Sequence, residues 1–155
     1  MAQQKIGILL NTSWYIYNFR RNLIIELQSK GYEIHAIAPY DEYSDKLIKI
    51  GCIYHQLNFD SKSKNPFKDI FLMKRIYKIL SIIRPNILLN FTIKPNIYGT
   101  LAATRLNIPC INNIAGIGTL IDEGLFARLV FNLLFKISQK RASWVFCQNP
   151  DDHRF

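Results

Sequence analysis

Six short runs of mostly apolar residues, separated by turns or helix-length segments, constrain this chain more than any other feature. The runs are "KIGILLNT" (5–12), "EIHAIAPY" (33–40), "CIYHQLNF" (52–59), "NILLNF" (86–91), "PCINNI" (109–114) and "WVFCQN" (144–149). A strand with water on one side alternates apolar and polar residues, whereas a strand apolar on both sides is covered twice. Between the runs, "YNFRRNLIIELQSKG" (17–31) places Phe19, Leu23, Ile24 and Leu27 at helical spacing and stops at Lys30 and Gly31. "DEYSDKLIKIG" (41–51) is a short helix with acids first, Lys49 late and Gly51 after it. "PFKDIFLMKRIYKILSIIR" (66–84) and "PNIYGTLAATRLN" (95–107) each open with a proline at a first helical position. "LFARLVFNLLFKISQKR" (125–141) is a further helix. Strands alternating with helices in this way predict an α/β fold, a parallel sheet of about six strands with helices on both faces. The length of 155 residues suits a single domain spanning 1–155.

The chain is 49% hydrophobic and 20% charged, enough to bury a core and too apolar for disorder by composition. Cys52, Cys110 and Cys147 lie far apart in apolar runs, without CxxC or Cys/His spacing, and read as reduced core thiols of a reducing compartment. The apolar start breaks at Asn11 and Thr12, too soon for a signal peptide. The stretch "LFARLVFNLLFKI" carries Arg128, Asn132 and Lys136 and falls short of the roughly 20 residues a spanning helix needs.

Charge is divided unevenly. Residues 1–60 hold six basic and six acidic side chains, whereas residues 61–105 hold nine basic side chains against Asp69 alone. That middle stretch carries nearly all of the net +9 and attracts anions: phosphate, nucleic acid or an anionic lipid surface. No nucleic-acid recognition motif accompanies it, and the lysines are spread over a helix and loops, so a nucleic-acid module is the weaker alternative.

In a sheet of this kind ligands bind at the carboxyl ends of the strands. Those ends fall at Asn11–Trp14, Pro39–Tyr40, Phe59–Ser61, Phe91–Lys94, Asn113–Gly118 and Gln148–Asn149. After the first run a dinucleotide fold would place GxGxxG, but no glycine stands between Gly7 and Gly31. Instead Ser13, Trp14, Tyr15 and Tyr17 form an aromatic loop with Arg20 beyond it, suited to gripping a sugar or an isoprenoid; packing alone also accommodates such rings. After the fourth run, "FTIKPN" offers the Thr92 hydroxyl and the Lys94 ammonium to a phosphate or sugar, with the amides of the following helix adding positive potential. After the fifth, "NNIAGIGTL" places Asn113, Gly116 and Gly118 where backbone can approach a ligand closely, or where the chain simply turns.

Two helices read as membrane-facing. In 66–84 the basic Lys74, Arg75 and Lys78 lie outside the apolar stripes, as on a helix resting on an anionic bilayer or on an ordinary solvated face. Helix 125–141 is apolar almost all round, Phe131 and Phe135 included, which calls for a cover by protein or membrane. His35, His55 and His153 have no metal-ligand spacing, Asp151 and Asp152 read as a helix N-cap pair, and no metal site is expected.

Taken together, "NTSWYIYNFRRNLIIEL", "GYEIHAIAP", "FTIKPNIYGTLAA", "NNIAGIGTL" and "FCQNPDD" resemble the N-terminal half of glycosyltransferase family four, over essentially the whole chain. The closest part of that family makes capsule, O-antigen or lipid-linked oligosaccharides. The resemblance implies a Rossmann-like domain forming one half of a GT-B fold, which binds the acceptor, often a sugar on undecaprenyl diphosphate, at the cytoplasmic face of the membrane. It implies retention of configuration, no metal, and a nucleotide-sugar donor bound by a C-terminal domain absent from these 155 residues. The isolated chain is then expected to be inactive, as a domain of a longer enzyme or as a non-catalytic membrane-anchoring subunit of a two-chain transferase. Many members have a histidine near the position of Thr92, so the catalytic residues stay unassigned.

Overall fold

A computed structural model describes residues 3–58, 66–115 and 125–148. It contains β1 (Lys5–Leu9), α1 (Ser13–Ser29), β2 (Glu33–Ala38), α2 (Ser44–Lys49), β3 (Ile53–Gln56), α3 (Pro66–Ile83) and β4 (Ile87–Phe91). A π-helical turn (Pro95–Gly99), α4 (Thr100–Arg105), β5 (Cys110–Ile114), α5 (Leu125–Arg141) and β6 (Trp144–Cys147) follow. All six strands are parallel in the order β3-β2-β1-β4-β5-β6.

Side-chain alternation along β1 and β2 divides the core. Ile6, Ile8, Ile34 and Ala36 face Ile16 and Ile24 of α1 and Leu47 of α2. Leu9, Ile37 and Leu88 face Leu72, Ile76 and Leu80 of α3 and Ala102 and Ala103 of α4. A third cluster joins Ile97 and Ile114 to Phe135 of α5. The order reverses between β1 and β4: β2 and β3 are added on one side of β1, whereas β4, β5 and β6 are added on the other.

Three elements depart from the sequence reading. α1 begins at Ser13 rather than Tyr17, because the Thr12 hydroxyl caps it by accepting the Tyr15 amide at 3.0 Å. The expected aromatic loop is therefore the first turn of a helix. The helix expected from Pro95 opens as a π-helical turn, a form that often marks functional positions. β6 is not covered on both faces: it is an edge strand on which Trp144 is 68% and Phe146 55% exposed. The glycine-rich segment 116–124, with Gly116 and Gly118, lies outside the described residues.

Candidate functional site

The reversal between β1 and β4 opens a crevice at the carboxyl ends of the two strands, where sheets of this kind take their ligands. Leu9 pairs with Asn90 in the register, so the chain leaving β1 at Asn11 runs beside the chain leaving β4 at Thr92. Arg20, from the second turn of α1, lays its guanidinium 4.3 Å from the centroid of Phe91, the last residue of β4. That contact offers a cation to a ring face but leaves the in-plane N–H groups for other partners.

Among the described residues, three polar atoms at this crevice are buried without a hydrogen-bond partner: Asn11 Oδ1, Arg20 Nε and Thr92 Oγ1. Buried polar atoms are almost always paired, so each orphan asks for an explanation, and an absent ligand is one. Burial lowers the Arg20 pKa, yet a guanidinium keeps its proton in proteins; Nη1 donates to the Phe19 carbonyl at 3.4 Å, and the Nε–H is left without an acceptor among the described residues. Thr92 adopts φ +67°, a left-handed conformation that is a true outlier for a β-branched residue. Strain of that kind costs of order 1–3 kcal/mol and clusters at functional sites. Gly99 closes the turn behind Thr92, and a Cβ there would collide with Asn90 Oδ1 and reach within 2.8 Å of Leu9. Only glycine lets the turn settle so close to the sheet.

The other anticipated residues have definite places. Ser13 is fully buried; its hydroxyl donates to the Pro39 carbonyl at 3.0 Å and accepts from Ser44 at 2.9 Å. It fastens the end of β2 to α2. The Trp14 amide donates to Asp41, and its ring, 40% exposed, meets Tyr15 and Phe19 edge-on. Tyr17 is half-buried beside Tyr43, under Arg21 and Lys46. Lys94 does not point freely into the crevice: its ammonium pairs with Asp69 at 2.7 Å in a partly buried ion pair. Tyr98 donates to the other Asp69 oxygen at 2.9 Å, and burial, then Asp69, pushes its phenol pKa up. Asn113 joins β5 to its neighbours, its side chain accepting from Gln148 and its carbonyl from Asn96.

On α3, Lys74, Arg75 and Lys78 are exposed, but Arg75 donates to the Asn58 carbonyl at 2.7 Å and so clasps the end of β3. Phe131 and Phe135 are a correction. They stack on each other at 5.8 Å and turn inward; Phe135 is 8% exposed, packed with Ile97 and Ile114. Leu129, Val130 and Leu133 occupy the outer face in their place. Asn132, Lys136 and Lys140, spaced by four, mark the exposed face, a polar stripe that the sequence already carried. Asn11, Phe91 and Asp69 were missed. For Asp69 a signal existed, a single acid amid nine basic side chains.

No group of residues among those described could hold a metal ion. No helix among them is long and apolar enough to cross a membrane. Residues 5–149 match the family described as glycosyl transferase 4-like, which is nearly the whole chain. The chain belongs to that family. It is 32% identical over 159 residues to the N,N'-diacetylbacillosaminyl-diphospho-undecaprenol alpha-1,3-N-acetylgalactosaminyltransferase of Campylobacter jejuni, covering 97% of this chain and 42% of that protein. Among solved structures it is similar to a UDP-N-acetylglucosamine 2-epimerase (TM-score 0.68, 13% identity, 96% of this chain and 43% of the other). It is also similar to MurG of Acinetobacter baumannii (TM-score 0.65, 15% identity, 97% and 43%). At those identities the likeness concerns the fold, a Rossmann-like sheet that forms one half of a GT-B architecture. This glycosyl transferase 4-like chain spans less than half the length of the relatives it matches.

Proposed function

We propose that this chain is the acceptor-binding domain of a retaining glycosyltransferase that moves a sugar from a nucleotide sugar to a lipid-linked or polysaccharide acceptor. One observation carries the reading: among the described residues, the Arg20 Nε, the hydroxyl of a strained threonine and an asparagine oxygen are each buried without a partner at the crevice between β1 and β4. A diphosphate-linked sugar answers each need. Phosphate oxygens accept from Arg20 and Thr92, and a sugar hydroxyl donates to Asn11. The relative from Campylobacter jejuni is named for an undecaprenol-diphosphate-linked acceptor, which supports this class. The exposed Trp14 and the half-buried Tyr17 of α1 are the aromatic candidates for a sugar or an isoprenoid, while Ser13 holds the first turn of α1 in place. Asn113, near the carboxyl end of β5, belongs to the same rim, and Gly116 and Gly118 follow it in sequence. Donor binding falls to a second domain or a partner chain, so these 155 residues alone are inactive.

The same reading places the domain peripherally on an anionic membrane at the cytoplasmic face. The outer face of α3 mixes Ile70, Phe71 and Ile82 with Lys74 and Lys78, and that of α5 mixes Leu129 and Leu133 with Lys136 and Lys140. Apolar side chains among lysines suit a headgroup boundary, where each lysine near an anionic surface contributes about 1 kcal/mol.

The test is sugar transfer by the whole polypeptide carrying Arg20→Met. The acceptor KM should rise at least tenfold, about 1.4 kcal/mol, with the donor KM unchanged. A variant that alters only the donor KM sinks the assignment. For the membrane, Lys74→Glu with Lys78→Glu should abolish cosedimentation with phosphatidylglycerol vesicles; retained binding refutes the helix assignment. Arg75 is left intact in that pair because of its structural bond to Asn58.

A further inference from the structure

The segment from residue 61 to 105 contains nine basic side chains and one acid. Asp69 has no lysine three or four positions ahead on α3, where Leu72 and Met73 stand. It is committed elsewhere: one carboxylate oxygen takes the Lys94 ammonium at 2.7 Å, the other the Tyr98 hydroxyl at 2.9 Å. Both side chains of the ion pair are less than one-fifth exposed.

These two partners bracket the turn that leaves β4. Lys94 lies two residues after Thr92, and Tyr98 immediately precedes Gly99. α3 does not need the carboxylate to stay in place, because Leu72, Ile76, Leu80 and Ile83 pack it on the sheet. The turn does need an anchor. A threonine at φ +67° persists only where its surroundings over-determine it. On one side the β4–β5 register fixes it through Phe91 and Asn113. On the other, Asn96 binds the Asn113 carbonyl at 2.9 Å, and the Asp69 pair holds what remains.

We propose that Asp69 is a positioning residue, which clamps the Thr92–Gly99 turn to α3 and so sets the unpartnered Thr92 hydroxyl at the crevice for an anionic ligand. The proposal rests on the acceptor-site reading above and deepens it. Lys94 then serves the ligand through Asp69 rather than by touching it, the reverse of what its place after a strand suggested. The carboxylate contributes geometry at the expense of local potential: it puts a negative charge beside a site for an anion.

That opposition makes the test decisive in sign. Inorganic pyrophosphate is titrated into the 155-residue chain, with the backbone amide signals of Arg20 and Thr92 followed by NMR. Asp69→Asn removes a negative charge, so electrostatics alone would tighten pyrophosphate binding. Positioning by Asp69 requires the opposite, a weakening of about tenfold. Asp69→Asn combined with Lys94→Gln keeps the net charge of the parent but replaces the charge-assisted clamp with a weaker amide pair. It covers the case in which the single variant does not fold, and it should weaken binding too. Parent-like or tighter binding by these variants, compared where all are folded, overturns the role of Asp69 and leaves the anion site standing. Failure of the parent itself to bind pyrophosphate removes the anion site and Asp69's role with it.

Discussion

The two halves of the sheet differ in how they treat polar groups. In the half built from β3, β2 and β1, buried polar side chains are satisfied by each other. Ser13 bridges the Pro39 carbonyl and Ser44, and His35 bonds Glu33 at 2.7 Å and His55 at 2.9 Å. In the half that starts with β4, Asn90 Oδ1, Thr92 Oγ1 and Asn96 Oδ1 have no partner among the described residues, a π-helical turn replaces α-helix, and a threonine is held left-handed. Asn11 and Arg20 add their orphans where the halves meet. Residues 1–60 balance their charge, and residues 61–105 carry the excess. The first half is a relaxed scaffold, and strain and unmet bonding are concentrated on the side of the crevice that α3 supports. Stability and binding are therefore expected to respond oppositely in the two halves.

The largest contrast should come from glycines. Gly99→Ala forces a methyl group into Asn90 and Leu9 and is expected to cost about 2–3 kcal/mol in urea unfolding. Gly31→Ala, at φ +86° with open space around it, should cost about 1 kcal/mol from backbone strain alone. Equal losses would erase the distinction between a close approach and a simple turn.

Next come the polar groups. Ser13→Ala takes the acceptor from the Ser44 hydroxyl proton and the donor from the Pro39 carbonyl and should lower stability by about 1–2 kcal/mol. Thr92→Gly should act the other way, gaining about 1 kcal/mol by relieving the left-handed strain while weakening pyrophosphate binding. A destabilised Thr92→Gly would show that the strain is absent or is repaid within the fold.

The smallest effect concerns pH. Burial, and then the neighbouring His35, lower the His55 pKa, so the unfolded chain binds more protons as pH falls below about 6.5. Stability should decline from that point downward, and His55→Gln should flatten that part of the melting-temperature profile. An unchanged slope in the variant would assign the decline to other groups.

Much of the scaffold could be read from the chain. β1, β2, β4 and β5 appear as apolar runs, and α3 begins at the proline that announces it. Helix ends were less clear. Thr12 could cap a helix, yet the three aromatic residues after it fit a loop equally well until the 3.0 Å bond to the Tyr15 amide decided the matter. Of the site, Thr92 stood out by its place at a strand end, and Arg20 as the cation beyond the aromatic run. Asn11 and Phe91 lay at strand ends too, but their residue type did not single them out, because an asparagine after a strand and a phenylalanine within one are ordinary. Phe131 and Phe135 were assigned outward although Asn132, Lys136 and Lys140, spaced by four, already marked the solvent side of the helix.

The sequence by itself determined the layered parallel sheet, the acid–base balance of its beginning and the excess charge of its middle. These are local quantities: the period of apolar residues and the sum of charges need no knowledge of distant neighbours. Tertiary structure alone decided which polar groups are left wanting. Lys94 meets Asp69 across 25 residues, and Arg20 meets Phe91 across a longer span of chain. A side chain's partner depends on where two elements are brought together in space, and only the folded sheet, reversing its order between β1 and β4, brings them there.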